Sequence, residues 1–171
     1  MTISILRILK FPMLYVLACV PSFAADFDLT KNKLEAALAM NHRSIENRDR
    51  DENRDPLAAM GFCRLRDDMT VIEFGPGGGW YTEILGPVLR EKGRLLIAYK
   101  DSWMDSLDTL LAQDFMSAVK KNPIEISWNS EKQKFNIGNI VYDVDNADLA
   151  LSIREYHNLS EEGARRLSDS G

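Results

Sequence analysis

A carboxylate followed by closely spaced glycines is the pattern in this chain that best suits ligand chemistry. The carboxylate is Glu73, and the glycines are Gly75, Gly77, Gly78 and Gly79. Apolar residues on both sides of Glu73 predict a buried strand, and the glycines permit a sharp turn where that strand ends. A helix that starts after such a turn directs free backbone N–H groups at a bound ligand. The pattern predicts a nucleotide-binding turn; the alternative is a tight turn that binds nothing.

The spacing of these glycines argues against two common nucleotide sites. A dinucleotide fingerprint needs a small residue at position 80, where the helix packs on the strand, but this chain has Trp80. A phosphate-binding P-loop needs Lys followed by Ser or Thr after the glycines, and no such pair follows. The pattern that remains is E-x-G-x-G-x-G over residues 73–79.

A second candidate ligand group is expected after the next strand of the sheet. In doubly wound sheets an acid at that position usually holds the ribose hydroxyls. This chain has Tyr99 there, and the nearest acid is Asp101. Asp101 is therefore a candidate for ribose binding, or else it belongs to the start of a helix that Ser102 and Asp105 would cap.

The chain offers little for metal or disulfide chemistry. His42 and His157 stand apart, and neither has a second ligand at metal spacing. Asp143, Asp145 and Asn146 lack the glycine and distal glutamate of a calcium loop. We therefore predict no metal site.

The first 24 residues have the layout of a secretory signal peptide. Arg7 and Lys10 precede an apolar run over residues 11–20, and small residues lead to a cleavage site after Ala24. The alternative is an uncleaved anchor, although the apolar run is short for a membrane span. Cleavage would leave Cys63 as the one cysteine, which excludes an intramolecular disulfide in the mature chain. We predict a periplasmic or secreted protein with no stable membrane span.

The charge balance bears on the partners of the exported chain. Removing the two positive charges of the signal peptide changes the formal net charge from −5 to −7. An acidic balance of this kind argues against nucleic acid or an anionic membrane as the main partner.

Residues 42–56 mix both charge signs densely. The first interpretation is a solvated connector or exposed helix. The second is a lid over the glycine turn, in which Arg50, Asp51 or Arg54 touches the substrate. Asp55 and Pro56 predict the cap and first residue of a short helix after this segment.

Hydrophobic periodicity and breakers predict the elements that position these residues. Helices are expected over residues 28–45, starting at an Asn32 cap, and over 56–60, 80–92 and 103–121. Strands are expected over 71–74, 94–99, 124–128 and 147–153, with a small hairpin over 136–142. Strands that alternate with helices indicate an α/β fold with a parallel sheet and right-handed crossovers. We divide the chain into a signal peptide at 1–24, a helical and charged segment at 25–69, and an α/β domain at 70–171.

Three motifs resemble one family closely. They are R-D-x-x-R-D-P from Arg50, V-I-E-F-G-P-G-G-G-W-Y-T-E-I-L from Val71, and A-D-L-A-L-S-I-R-E-Y-H-N from Ala147. Together they resemble the exported bacterial proteins that look like class I methyltransferases dependent on S-adenosylmethionine (SAM). The resemblance spans nearly the whole mature chain.

The resemblance implies a Rossmann-like sheet and a role for each matching residue. The turn from Gly75 to Gly79 would cradle the methionine part of SAM, with Glu73 orienting the turn or meeting the amino group through water. Tyr81 and Asp101 complete the implied cofactor-binding set. His157 is the candidate general base, and Asn158 would hold the substrate by its amide. The alternative for His157 is a strand-end residue hydrogen-bonded to a loop.

Class I methyltransferases have seven strands, and this chain has sequence for fewer. The resemblance therefore implies a partial domain that lacks the last strands, with the strand near residues 147–153 at an exposed sheet edge. Such an edge favours self-association. Three functions stay open: a SAM-dependent methyltransferase of an unknown small molecule, a non-catalytic SAM- or nucleotide-binding domain, and a partner-binding fragment.

Overall fold

A parallel sheet carries the glycine turn at its carboxyl edge. The computed structural model describes residues 23–132, 134–138 and 140–155. The predicted signal peptide therefore lies almost wholly outside the described residues. The helices are α1 (Phe23–Leu38), α2 (Ile45–Arg48), α3 (Asp51–Arg54), α4 (Pro56–Phe62), α5 (Thr82–Leu89) and α6 (Asp108–Leu111). The strands are β1 (Thr70–Phe74), β2 (Arg94–Tyr99), β3 (Val119–Pro123), β4 (Ile126–Asn129), β5 (Lys134–Ile137) and β6 (Leu149–Leu151).

The main sheet has the order β3-β2-β1-β6, and each pair of neighbours is parallel. The predicted first and second strands are confirmed, because β1 and β2 fall within a residue of their expected bounds. Residues Leu95 to Tyr99 of β2 are all buried, as expected for a central strand covered on both faces. The α/β class with a parallel sheet and flanking helices is confirmed, and it is compatible with a Rossmann-like fold.

Helix α5 joins the sheet to the N-terminal helices. It packs against both β2 and α1, and α1 also contacts α4. Apolar side chains of α5 and α1 are fully or almost fully buried here: Leu34, Ala37, Ile84, Leu85, Val88 and Leu89. The predicted cap before α4 is confirmed, since Asp55 accepts a hydrogen bond from the Ala58 backbone N–H at 3.0 Å. The packed helices hold the segment over residues 42–56 beside the glycine turn.

The prediction of one amphipathic helix over residues 103–121 is wrong. That region forms 3-10 turns at Asp101–Trp103, Asp105–Leu107 and Asp114–Met116, with α6 between the last two, and then strand β3. The apolar residues of this region keep a helical spacing. If the region were one helix, however, a row of backbone N–H and C=O groups along β2 would have no partners. Strand β3 supplies them, as in the pairing of Leu95 with Val119. Tertiary pairing thus overrides the local helical pattern.

The strand expected over residues 124–128 is confirmed in part, as β4, but it lies outside the parallel sheet. The hairpin expected over 136–142 is wrong. Strands β4 and β5 pair antiparallel in a separate sheet, with Trp128 opposite Phe135. Their rings lie 5.2 Å apart, so the aromatic pair stabilises this register. The glycine at position 138 falls after β5 instead of in the turn.

Two more boundaries differ from the sequence predictions. The first helix is already formed at Phe23 and ends at Leu38, so Asn32 lies inside it and caps nothing. The fourth strand of the parallel sheet is confirmed but is shorter than expected, as β6 spans Leu149–Leu151 and pairs with β1.

Candidate functional site

The glycine turn leaves β1 at the carboxyl edge of the sheet, where ligands of open α/β sheets bind. Gly75 and Gly77 have φ angles of 69° and 55°, which favour glycine. A Cβ atom built on Gly77 or Gly78 would meet no other atom within 4 Å, so the backbone is open there. A ligand can therefore lie directly against the peptide groups of this part of the turn.

That open face belongs to a cavity of about 220 Å³. Residues at the carboxyl ends of β1 and β6 line it, together with residues of α2 and α3. The lining includes Glu73, Gly75, Gly77, Gly78, Trp80, Tyr81, Asn47, Arg50, Arg54, Leu151, Ile153, Arg154 and Glu155. Its volume lies somewhat below the roughly 300 Å³ at which pockets for drug-sized ligands begin, so it suits a small ligand or one end of a larger one.

Glu73 lies on the same face of β1 as the buried Val71. Its Oε2 accepts a hydrogen bond of 2.7 Å from the Thr82 hydroxyl in the first turn of α5. Burial raises the pKa of Glu73 to about 7, although this hydrogen bond opposes the shift. Glu73 is thus a carboxyl that changes charge near neutral pH at the edge of the cavity.

Sequence reasoning missed Glu155, which follows β6. Its side chain covers Gly75 so closely that a Cβ on this glycine would collide with it. The Tyr99 hydroxyl donates a hydrogen bond to Glu155 Oε1. Burial and the bond to Glu155 raise the pKa of Tyr99 well above its ordinary range. The tyrosine at the expected ribose position therefore binds a protein carboxylate, and the one signal for Glu155 was its place after a predicted strand.

The charged segment forms the short helices α2 and α3, which contain no buried residue, so the expected exposed helix is confirmed there. Arg43, which precedes α2, is the exception. Arg43 is fully buried and donates to Glu83 Oε1 of α5 at 2.8 Å and to both Asp51 oxygens at 2.6 and 2.8 Å. Asn47 Nδ2 donates to the other Glu83 oxygen at 3.0 Å. Buried hydrogen-bonded charges of this kind join residues 43–51 firmly to the start of α5.

Trp80 extends the same junction to the cavity wall. Its Nε1 donates to the backbone oxygen of Asn47 at 2.8 Å. The guanidinium of Arg54 lies 4.6 Å from the centre of its ring, a cation–π contact. The large residue that excluded a dinucleotide fingerprint is therefore the contact that holds the arginine-bearing helix beside the glycines.

The structure brings five of the predicted cofactor-binding residues to this cavity: Glu73, Gly75, Gly77, Gly78 and Tyr81. Gly79 does not line it, because it packs against α6 and the preceding turn, where a Cβ would lie 2.7 Å from Leu107. Asp101 lies in a second depression of about 580 Å³ with residues 123–127, after the carboxyl ends of β2 and β3. The predicted catalytic residues His157 and Asn158 lie outside the described residues.

Among the described residues, no three or more His, Cys, Asp or Glu side chains are grouped so that they could hold a metal ion. No helix in this part of the chain has the length and apolar character needed to span a bilayer.

Comparison with protein-family models, with curated proteins and with solved structures gives no match. The fold and the site alone define the class of protein. It is an α/β protein with a glycine-turn cavity at the carboxyl edge of a four-strand parallel sheet.

Proposed function

We propose that this protein binds SAM at the glycine turn and transfers its methyl group to a small molecule. One observation carries the proposal: the E-x-G-x-G-x-G pattern forms an open turn between β1 and α5, and this turn lines a cavity. That combination of strand, glycine turn and helix is the arrangement in which a backbone contacts a nucleotide-like ligand.

The residues of the cavity fit the amino acid end of SAM. The open backbone at Gly77 and Gly78 leaves room for it, and the carboxyls of Glu73 and Glu155 suit its ammonium group. SAM supplies a sulfonium methyl group that is already a strong electrophile. The protein then contributes mainly by holding the acceptor in line with that methyl group.

The remaining assignments also belong to the proposal. Asp101 would bind the ribose hydroxyls from the second depression, at the same carboxyl edge of the sheet. His157 would act as the general base, and Asn158 would hold the acceptor.

Gly78→Val tests the cofactor site with little risk to the fold. Position 78 has no positive φ angle, and a Cβ there meets nothing, so the added side chain only fills the cavity. We expect the variant to bind SAM and S-adenosylhomocysteine about tenfold more weakly or worse, because space for the ligand is lost. Calorimetric titration of the purified full chain measures both affinities.

Ala58→Val is the control, since it also introduces a valine, at an exposed position of α4. It should bind both ligands as the wild type does. A folded wild-type protein that gives no heat with either ligand would refute the proposal, and so would equal binding by the Gly78→Val variant.

A second candidate function is ligand binding without turnover. The contact between Tyr99 and Glu155 favours it, because both side chains are engaged with each other where a ribose-binding acid is expected. In that case the protein would bind SAM but transfer no labelled methyl group to any component of a small-molecule extract.

A further inference from the structure

Arginine side chains from separate parts of the chain meet at the cavity. Arg50 lies just before α3, Arg54 ends α3, and Arg154 follows β6 with a φ angle of 62°. Among the described residues, none of these guanidinium groups takes part in a salt bridge or a hydrogen bond. Arg54 stacks on Trp80, which leaves the N–H groups of all three guanidiniums available to a ligand of the cavity.

The electrostatics of Arg54 show that the charges are close to one another. Burial lowers the pKa of Arg54, and repulsion from Arg50 and Arg154 lowers it further, although Tyr81 and Asp51 oppose the shift. Like charges in contact with a cavity are unfavourable unless an anion joins them. The folded chain therefore holds a repulsion that a bound oxyanion would relieve.

The carboxyls of the cavity have hydrogen-bond partners of their own. Glu73 accepts its hydrogen bond from Thr82, and Glu155 accepts one from Tyr99. Glu73 lies in β1 and Glu155 follows β6, whereas Arg50 and Arg54 come from the segment around α3. The cavity thus carries carboxyl and guanidinium groups together, with Arg154 next to Glu155 in the chain.

We propose that Arg50, Arg54 and Arg154 form an oxyanion subsite, and that the methyl acceptor is a small acid bound there through a phosphate or carboxylate group. Guanidinium groups bind such groups through paired N–H donors in a planar fork. Three positive charges suit a phosphate or a dicarboxylate better than the single carboxylate of SAM. The assignment of the anion to the acceptor rests on the proposed methyltransferase function, whereas the subsite itself does not.

The first experiment tests the subsite directly on the full chain. Inorganic phosphate and acetate are titrated while the arginine Nε–Hε signals are followed by nuclear magnetic resonance. We expect the signals of Arg50, Arg54 and Arg154 to shift together, and Arg50→Gln and Arg154→Gln each to weaken phosphate binding about tenfold or more.

Arg90→Gln is the matched control, because Arg90 is an exposed arginine that does not line this cavity. Its substitution should leave phosphate binding unchanged. Unmoved arginine signals with both anions would overturn the subsite. Phosphate binding that survives Arg50→Gln and Arg154→Gln would overturn it as well.

The second experiment separates the acceptor from the cofactor as the source of the anion. Affinities for S-adenosylhomocysteine and for methylthioadenosine, which lacks the amino acid end, are measured in wild type and Arg154→Gln. Unchanged affinities beside weakened phosphate binding support an acidic acceptor. Selective loss of S-adenosylhomocysteine affinity assigns the anion to the cofactor and overturns the acceptor proposal. If phosphate binds but S-adenosylhomocysteine does not, the subsite is retained. The methyltransferase function is then refuted, and the acceptor assignment is refuted with it.

Discussion

Glu73 lines the cavity, and its ionisation lowers the stability of the folded protein. It is buried within the apolar strand β1, and its carboxyl accepts a hydrogen bond from the hydroxyl of Thr82. A buried carboxyl with a raised pKa prefers to be neutral, so its ionisation works against folding. The residue therefore links the charge of the cavity to the stability of the sheet.

Replacement of Glu73 by glutamine should change how stability depends on pH. Burial raises its pKa to about 7 in the folded protein, against an ordinary value of 4.5. Between these values the folded chain holds more protons than the unfolded chain, so stability falls as pH rises. We expect Glu73→Gln to raise the free energy of unfolding by roughly 3 kcal/mol at pH 8 and by almost nothing at pH 4. Urea unfolding across this range measures the difference.

Glu52→Gln is the control for the loss of one negative charge, because Glu52 is exposed on α3. It should leave the pH profile of stability as it is in the wild type. An effect of Glu73→Gln that stays constant from pH 4 to pH 8 would contradict this account of Glu73.

At the scale of elements, the charged segment is the part that the site depends on most. Its N-terminal half contacts α5, because Arg43 donates a hydrogen bond to Glu83. In its C-terminal half, Arg50 and Arg54 line the cavity. The second interpretation of the sequence, a lid in which Arg50, Asp51 or Arg54 touches the substrate, stays a prediction, and Arg50 and Arg54 do line the cavity. Asp51, however, binds Arg43, as its two hydrogen bonds show.

Breaking the contact between Arg43 and Glu83 should loosen this element. Arg43→Met removes the cation and leaves the buried carboxylate of Glu83 without its charged partner. Such changes cost about 3–5 kcal/mol of stability. Urea unfolding should show this loss, and Arg43→Met combined with Glu83→Gln should cost less than the sum of the two single changes.

Lys31→Gln is a suitable control, since it breaks an exposed ion pair with Glu35 at 3.9 Å. Its expected effect is below about 1 kcal/mol. If Arg43→Met cost no more than this control, the buried contact would not be what holds the segment in place.

At the scale of the whole molecule, the position of β6 matters most. Among the described residues, β6 pairs with β1 alone and so lies at the edge of the parallel sheet. An open sheet edge is a template for pairing with another chain. The expected self-association therefore stays a prediction that the strand order supports.

We predict that the full chain forms larger species as its concentration rises. Ala150 is exposed in the middle of β6, and Ala150→Lys places a charge there that discourages pairing between edges. Light scattering coupled to size-exclusion chromatography should show a smaller mass for this variant at high concentration. The control Ala58→Lys on α4 should behave as the wild type, and a wild-type protein that stays monomeric would refute the prediction.

The sequence by itself determined the features that rest on local signals. An apolar run with β-branched residues predicts β1, glycines predict the turn after it, and Asp55 before Pro56 predicts the start of α4. Each of these depends on neighbours within a few positions, and the alternation of such elements was enough to predict a parallel sheet.

Only the tertiary structure decided the contacts between distant residues. Arg43 meets Glu83 across 40 positions, and Tyr99 meets Glu155 across 56. No local pattern marks such pairs, because they depend on which elements pack together. The same reason explains β3. The residues there have a helical spacing, but they form a strand because the backbone groups of β2 require hydrogen-bond partners. It also explains the arginines of the cavity, which the fold assembles from a charged segment and a strand end.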